Sequence, residues 1–141
     1  MPKLIFISYS LAKGGAAIAA YNFLTLAKEM IGYEVQSVSQ DSAGLMHYLK
    51  RVVCWILGKL QKDNNPTKHS LNLFSYPPVL QIFRKEKGSM FHIHWINNDT
   101  LSIKDFKKIP AGSILTLHDE WLYCGAEHYY KTDDPFLDFV G

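Results

Sequence analysis

Short apolar runs alternate along this chain with stretches whose apolar residues recur at helical spacing. Lys3 to Tyr9 (KLIFISY) is rich in β-favouring residues and nearly uncharged, which predicts a first buried strand. Ala16 to Met30 predicts a helix in which only Asn22, Thr25, Lys28 and Glu29 are polar, so most of its circumference should be buried. Gly32 stands where a C-terminal helix cap is expected, and Glu34 to Val38 predicts a second strand. Met90 to Tyr129 repeats the pattern. Phe91 to Asn97 and Ser113 to Leu117 are apolar runs that stop at polar residues, and Leu101 to Ile109 between them alternates apolar and charged residues as a helix does.

Two such units predict an α/β fold: a Rossmann-like, doubly wound parallel sheet with right-handed crossovers. In such a sheet the loops at the carboxyl ends of the strands form the ligand crevice. That edge would gather Ser10 to Gly15, Ile96-Asn97 and His118-Asp119.

The middle of the chain has a different character. Ala43 to Lys62, as a helix, sets His47, Lys50, Arg51, Gly58, Lys59 and Lys62 on one side and Leu45, Met46, Leu49, Val52, Val53, Ile56, Leu57 and Leu60 on the other. No acidic residue lies between Asp41 and Asp63, and Trp55 sits near the flank. The pattern suits a helix packed on the core, the expectation preferred here, and also a helix lying on a membrane surface. Four charges in the segment exclude a transmembrane span. Asp63 to Lys68 is a loop by composition, and Pro77-Pro78 leads into a helix near Val79 to Lys87.

With 141 residues, 48% hydrophobic and 20% charged, the chain predicts one domain. A net charge of +2 is too small to suggest nucleic acid as a partner. Cys54 and Cys124 form no CxxC pair, so neither a disulfide framework nor a zinc site is expected, and a cytoplasmic location fits. Gly14 and Gly15 at the mouth of a helix permit close approach of backbone N–H groups to a phosphate; a tight strand-to-helix turn is the reading preferred from these residues alone. No G-x-G-x-x-G is present, and no acidic residue ends the second strand where it would hold a ribose. His92 and His94 share one strand face, which admits a metal-binding H-x-H completed by His118 or Asp119, or histidines satisfied within the core.

Gly14 to Asn22, His92-Ile93-His94-Trp95-Ile96-Asn97, and Leu115 to Trp121 with Gly125-Ala126-Glu127-His128-Tyr129 resemble the amino-terminal half of bacterial retaining glycosyltransferases of family 4, of the polysaccharide-assembly type. The resemblance covers nearly the whole chain in the same order. It implies the GT-B architecture, in which two Rossmann-like domains face each other across a cleft, the amino-terminal one receiving the acceptor. Residues 1–141 would then be a single acceptor-side domain, and the donor-binding domain would lie in a continuation of the chain or in a second chain. The resemblance implies His118 and Asp119 as the residues tied to chemistry. Gly14, Gly15, His94, Trp95, Asn97 and Trp121 would bind donor or acceptor. It also implies a nucleotide sugar as co-substrate, a glycan or lipid-linked acceptor, and no metal or other cofactor. A position at the inner face of a membrane, touched through helix 43–62, completes the expectation. A non-catalytic binding or scaffolding domain is the second reading, and a metal-dependent hydrolase built on His92, His94, His118 and Asp119 is the third.

Overall fold

A computed structural model of the chain describes residues 3–30, 32–60, 70–124 and 128. Strand β1 (Lys3–Ser8) leads through a loop into helix α1 (Gly15–Glu29) and strand β2 (Glu34–Val38). Helix α2 (Leu45–Lys59) and helix α3 (Pro77–Lys85) follow, then strand β3 (Met90–His94), a 3-10 helix (Ile103–Lys108) and strand β4 (Ile114–Thr116). The four strands form one all-parallel sheet in the order β2, β1, β3, β4. The α/β parallel sheet read from the sequence is therefore the fold. The expected loop Asp63 to Lys68, Lys62, and Gly125, Ala126, Glu127 and Tyr129 lie outside the described residues.

Alternation along β1 and β3 divides the core into two layers. Ile5, Ile7, Phe91 and Ile93 point to one face, where α3 covers them with Val79, Ile82 and Phe83. Phe83 meets Phe91 edge-on, ring centres 5.3 Å apart. Pro77 and Pro78 start α3 because its first turn needs no N–H donors. On the opposite face Phe6, Leu24 and Ala27 pack with Leu4 and Val35. Each fully buried side chain of this kind contributes roughly 1.5–3 kcal/mol.

Helix α1 buries one stripe, Ala17, Ala20, Leu24 and Ala27, and leaves Ile18, Tyr21 and Leu26 exposed. The expectation of burial around most of its circumference is corrected. Small alanines bring the helix close to a single sheet face, and nothing described covers its far side. Gly32 is not the cap either. The helix ends on Met30 in an extended conformation, and Gly32, at φ +100°, turns the chain toward β2.

Helix α2 departs furthest from expectation. Its buried residues are His47 and Cys54, which belong to the more polar arc. Lys50 lies over the Phe74 ring and Arg51 over the Tyr9 ring, at 5.7 and 5.1 Å from the ring centres. Leu45, Met46, Leu49, Val53, Ile56 and Leu60, spaced three and four apart, all face outward, Leu45 at 74% and Leu60 at 69% exposure. The helix sits with its apolar arc away from the core, so core packing of that arc is corrected.

The helix expected over Leu101 to Ile109 is a six-residue 3-10 helix. Asp105 is drawn to the hydroxyls of Ser75 at 2.6 Å and Ser102 at 3.1 Å, and Ser102 N–H donates to Ser75 at 2.8 Å. Pinned at its start and ended at Pro110, the segment gains reach from the larger rise per residue of the tighter helix.

Candidate functional site

Strand β3 ends at His94 because Trp95 adopts φ +32°, a left-handed conformation unusual for a bulky residue. Asn98 and Asp99 follow at φ +54° and +59°. Such residues cost about 1–3 kcal/mol each and persist where surrounding bonds over-determine them. Buried Asn72 supplies several of those bonds: its amide donates to Ile96 O at 3.1 Å, Asn97 Oδ1 at 3.2 Å and Leu101 O at 3.3 Å, and its oxygen accepts from Asp99 N–H at 3.3 Å. Asp99 in turn accepts from Phe74 N–H at 3.0 Å and from the Cys54 thiol at 3.3 Å.

This stiffened loop and the end of β4 enclose a shallow depression of about 270 Å³, counting space open to solvent, lined by Trp95 to Asn97, Leu115 to Asp119, Trp121 and Leu122. Of the residues expected at a site, Trp95, Asn97, His118, Asp119 and Trp121 line it together. His94 lies behind the wall, fully buried. Gly14 and Gly15 do not line it. They open α1, where Gly14 at φ +95° makes the turn that a side chain would strain. Ser10 anchors that turn by accepting from Ala12 and Lys13 N–H, both at 3.0 Å, and donating to Asp41 at 2.6 Å. Asp41 also accepts from Leu11 N–H at 2.9 Å. Burial would raise its carboxyl pKa, but these hydrogen bonds prevail and hold it below the usual value. The acid after the second strand thus ties down the glycine turn, a role its position alone did not disclose.

His118 rests on His94, with Nε2 of the former 3.0 Å from Nδ1 of the latter. The register of β3 against β4, His94 beside Thr116, makes the meeting possible. His92 is occupied elsewhere, its Nε2 2.7 Å from the Thr116 hydroxyl. The His92 and His94 rings lie against Phe6 and Phe23 on the α1 face of the sheet, and the His118 ring stacks on His94. Burial, reinforced by His92 and His118, pushes the His94 pKa down to about 4. Burial also lowers that of His118, against the opposing pull of Asp119. Both rings are therefore neutral near pH 7 and share one proton between them.

Which ring donates follows from His94 Nε2, which is buried and has no partner. Were His94 to accept at Nδ1, its own proton would sit on Nε2 as an orphaned buried N–H. If His94 donates from Nδ1, only a bare lone pair is left there, the cheaper deficit. His118 then carries its proton on Nδ1, which has no hydrogen bond to a described residue and is left for the cavity.

Asp119 does not orient His118 by hydrogen bonding. Its Oδ2 accepts from Trp95 Nε1 at 2.5 Å and Asn97 Nδ2 at 3.3 Å, and lies 2.5 Å from His128 Nδ1; Oδ1 accepts from Trp121 N–H at 3.2 Å. The other His128 nitrogen is 2.7 Å from the Ser70 hydroxyl. Ser70, His128 and Asp119 thus form a serine–histidine–carboxylate relay. Ser70 is only 8% exposed and does not line the cavity, and its carbonyl is taken by Trp121 Nε1 at 2.7 Å. The relay fastens the segment at Ser70 to the loop after β4. Sequence reasoning missed Ser70, Asn72 and His128 as parts of one network, since no local spacing connects them.

Among the described residues no group of three or more His, Cys, Asp or Glu side chains is placed to hold a metal ion. Burial pushes the Cys54 thiol up to about 11, which leaves it unreactive. No described helix is long and apolar enough to cross a membrane. The chain matches no protein-family model, no curated protein and no solved structure.

Proposed function

We propose that this chain is the acceptor-side domain of a glycosyltransferase that moves a sugar from a nucleotide donor onto a glycan or lipid-linked acceptor. One observation carries the reading: His118, bonded through one ring nitrogen to His94, lines a cavity together with Trp95 and Trp121. An aromatic wall with one directed donor suits a sugar ring, which has an apolar face and a rim of hydroxyl oxygens. Among the described residues no Lys or Arg lines the cavity, so nothing described there matches the charge of a diphosphate. The depression is shallow and open to solvent, as expected of one wall of a cleft. In that role His118 donates to an acceptor or donor-sugar oxygen and stabilises charge developing there; Asp119 holds Trp95 and the loop in place. The metal-dependent hydrolase reading lacks a ligand set among the described residues, since the ring nitrogens of His92 and His94 nearest to partners are spent on Thr116 and His118.

Titration of the labelled chain with neutral oligosaccharides and, separately, with a nucleoside diphosphate tests this. Glycan should shift the amide resonances of Trp95 to Asn97 and Leu117 to Trp121, and the nucleotide should leave them in place. Shifts there with nucleotide alone would overturn the acceptor assignment.

A further inference from the structure

The sugar-transfer reading makes no use of the outward arc of α2. An amphipathic helix normally turns its apolar side to the core, because that side gains most by leaving water. Here the opposite arc is against the domain, and it is poorly suited to that place. His47 is buried with both ring nitrogens unpartnered, and burial lowers its pKa. The apolar arc, running from Leu45 through Leu49, Val53 and Ile56 to Leu60, stands in solvent. Fifteen residues make a helix about 22 Å long, too short to cross a bilayer and suited to lying along one.

We infer that α2 seats the domain on an anionic lipid surface, with this arc among the acyl chains. Charge selects that occupant over a second copy of the chain. At 100° per residue Lys50 and Lys59 fall on the two margins of the arc; Lys59 can reach up to headgroups, while Lys50, over the Phe74 ring, adds its charge from the margin nearer the domain. Lys59 lies over the Trp55 ring, and Trp55 and Tyr48 are exposed beside it, as aromatic residues are at a lipid interface. No acidic residue lies between Asp41 and Asp63. Two copies pairing through this arc would set lysine margins against lysine margins, whereas anionic headgroups supply the opposite sign. The underside of α2 rests on Tyr9, Phe74 and Asp99, which belong to the segments at the carboxyl edge of the sheet. Seating α2 therefore brings the edge that carries the cavity close to the bilayer.

Flotation with vesicles tests the inference without glycan or nucleotide, so its outcome is independent of the sugar-transfer reading. The chain should float with an equal mixture of phosphatidylcholine and phosphatidylglycerol, less so at high salt, and little with phosphatidylcholine alone. Lys50→Gln with Lys59→Gln should weaken binding by about five-fold per cation removed, roughly 25-fold together. Leu49→Ser with Ile56→Ser should abolish it while the circular dichroism spectrum is unchanged; if that pair misfolds, the lysine pair decides. Absence of wild-type binding to the anionic vesicles overturns the inference. So does undiminished binding by the lysine pair, or a stable dimer in solution that the serine pair dissolves, which would give the arc to a second copy.

Discussion

Helices α2 and α3 carry comparable sequence signals and meet opposite fates. α3 turns Val79, Ile82 and Phe83 onto the sheet, and its basic last turn, Arg84 and Lys85, stays at the end where the helix dipole favours it. α2 turns Leu49, Val53 and Ile56 outward and lays His47, Lys50, Arg51 and Cys54 against Tyr76, Phe74, Tyr9 and Asp99, outside the strands. The difference teaches that amphipathic spacing predicts a helix with a face to be covered, and leaves the cover unnamed. For α3 it is Ile5, Ile7, Phe91 and Ile93; for α2 we infer lipid.

Truncating the covered face should have the largest effect. Phe83→Ala leaves a cavity against Phe91 and should cost about 3–5 kcal/mol in denaturant unfolding. Acid should come next. His94 has a folded pKa of about 4 against an ordinary 6.5, so the folded chain binds fewer protons than the unfolded one in that interval. Its contribution is complete above about pH 6.5 and falls away as the pH drops toward 4, roughly 3 kcal/mol in all. Unfolding of wild type and His94→Phe across that range checks it; the variant should show a distinctly flatter dependence. Burial shifts His47, His92 and His118 in the same direction, so the variant should keep a smaller residual slope. The smallest effect is expected of Leu49→Ala, within about 0.5 kcal/mol, as for other exposed substitutions. A loss matching that of Phe83→Ala would mean that the outward arc is covered in solution, and the contrast between the helices would fail.

Strands β1 and β3 and helix α3 were legible because burial on both sheet faces demands continuous apolar runs, and Pro77-Pro78 marks a helix start. The 3-10 helix was not, because Ser75 and Asp105, thirty residues apart, set its pitch. At the site, the sequence placed Trp95, Asn97, His118, Asp119 and Trp121 at one strand edge, and they line one cavity. It also placed Gly14 and Gly15 at that edge; their turn follows β1 beside β3, is tied to Asp41 after β2, and does not line the cavity. The partner of His118 was hidden in the strand register: His94 and His118 meet only because β3 and β4 pair with His94 beside Thr116. Asp119, adjacent to His118 in sequence, faces the Trp95 and His128 rings instead.

In the proposed role burial keeps His118 neutral, and the contact with His94 sets its tautomer so that Nδ1 carries the proton for a glycan oxygen. Long-range proton–nitrogen NMR of the histidine side chains near pH 7, before and after adding a neutral oligosaccharide, addresses it directly. The account predicts neutral rings protonated on Nδ1 at both His94 and His118, with the His118 Nδ1 signal alone moving strongly on binding. A His118 protonated on Nε2, a doubly protonated ring, or a His118 signal indifferent to a bound glycan would contradict it.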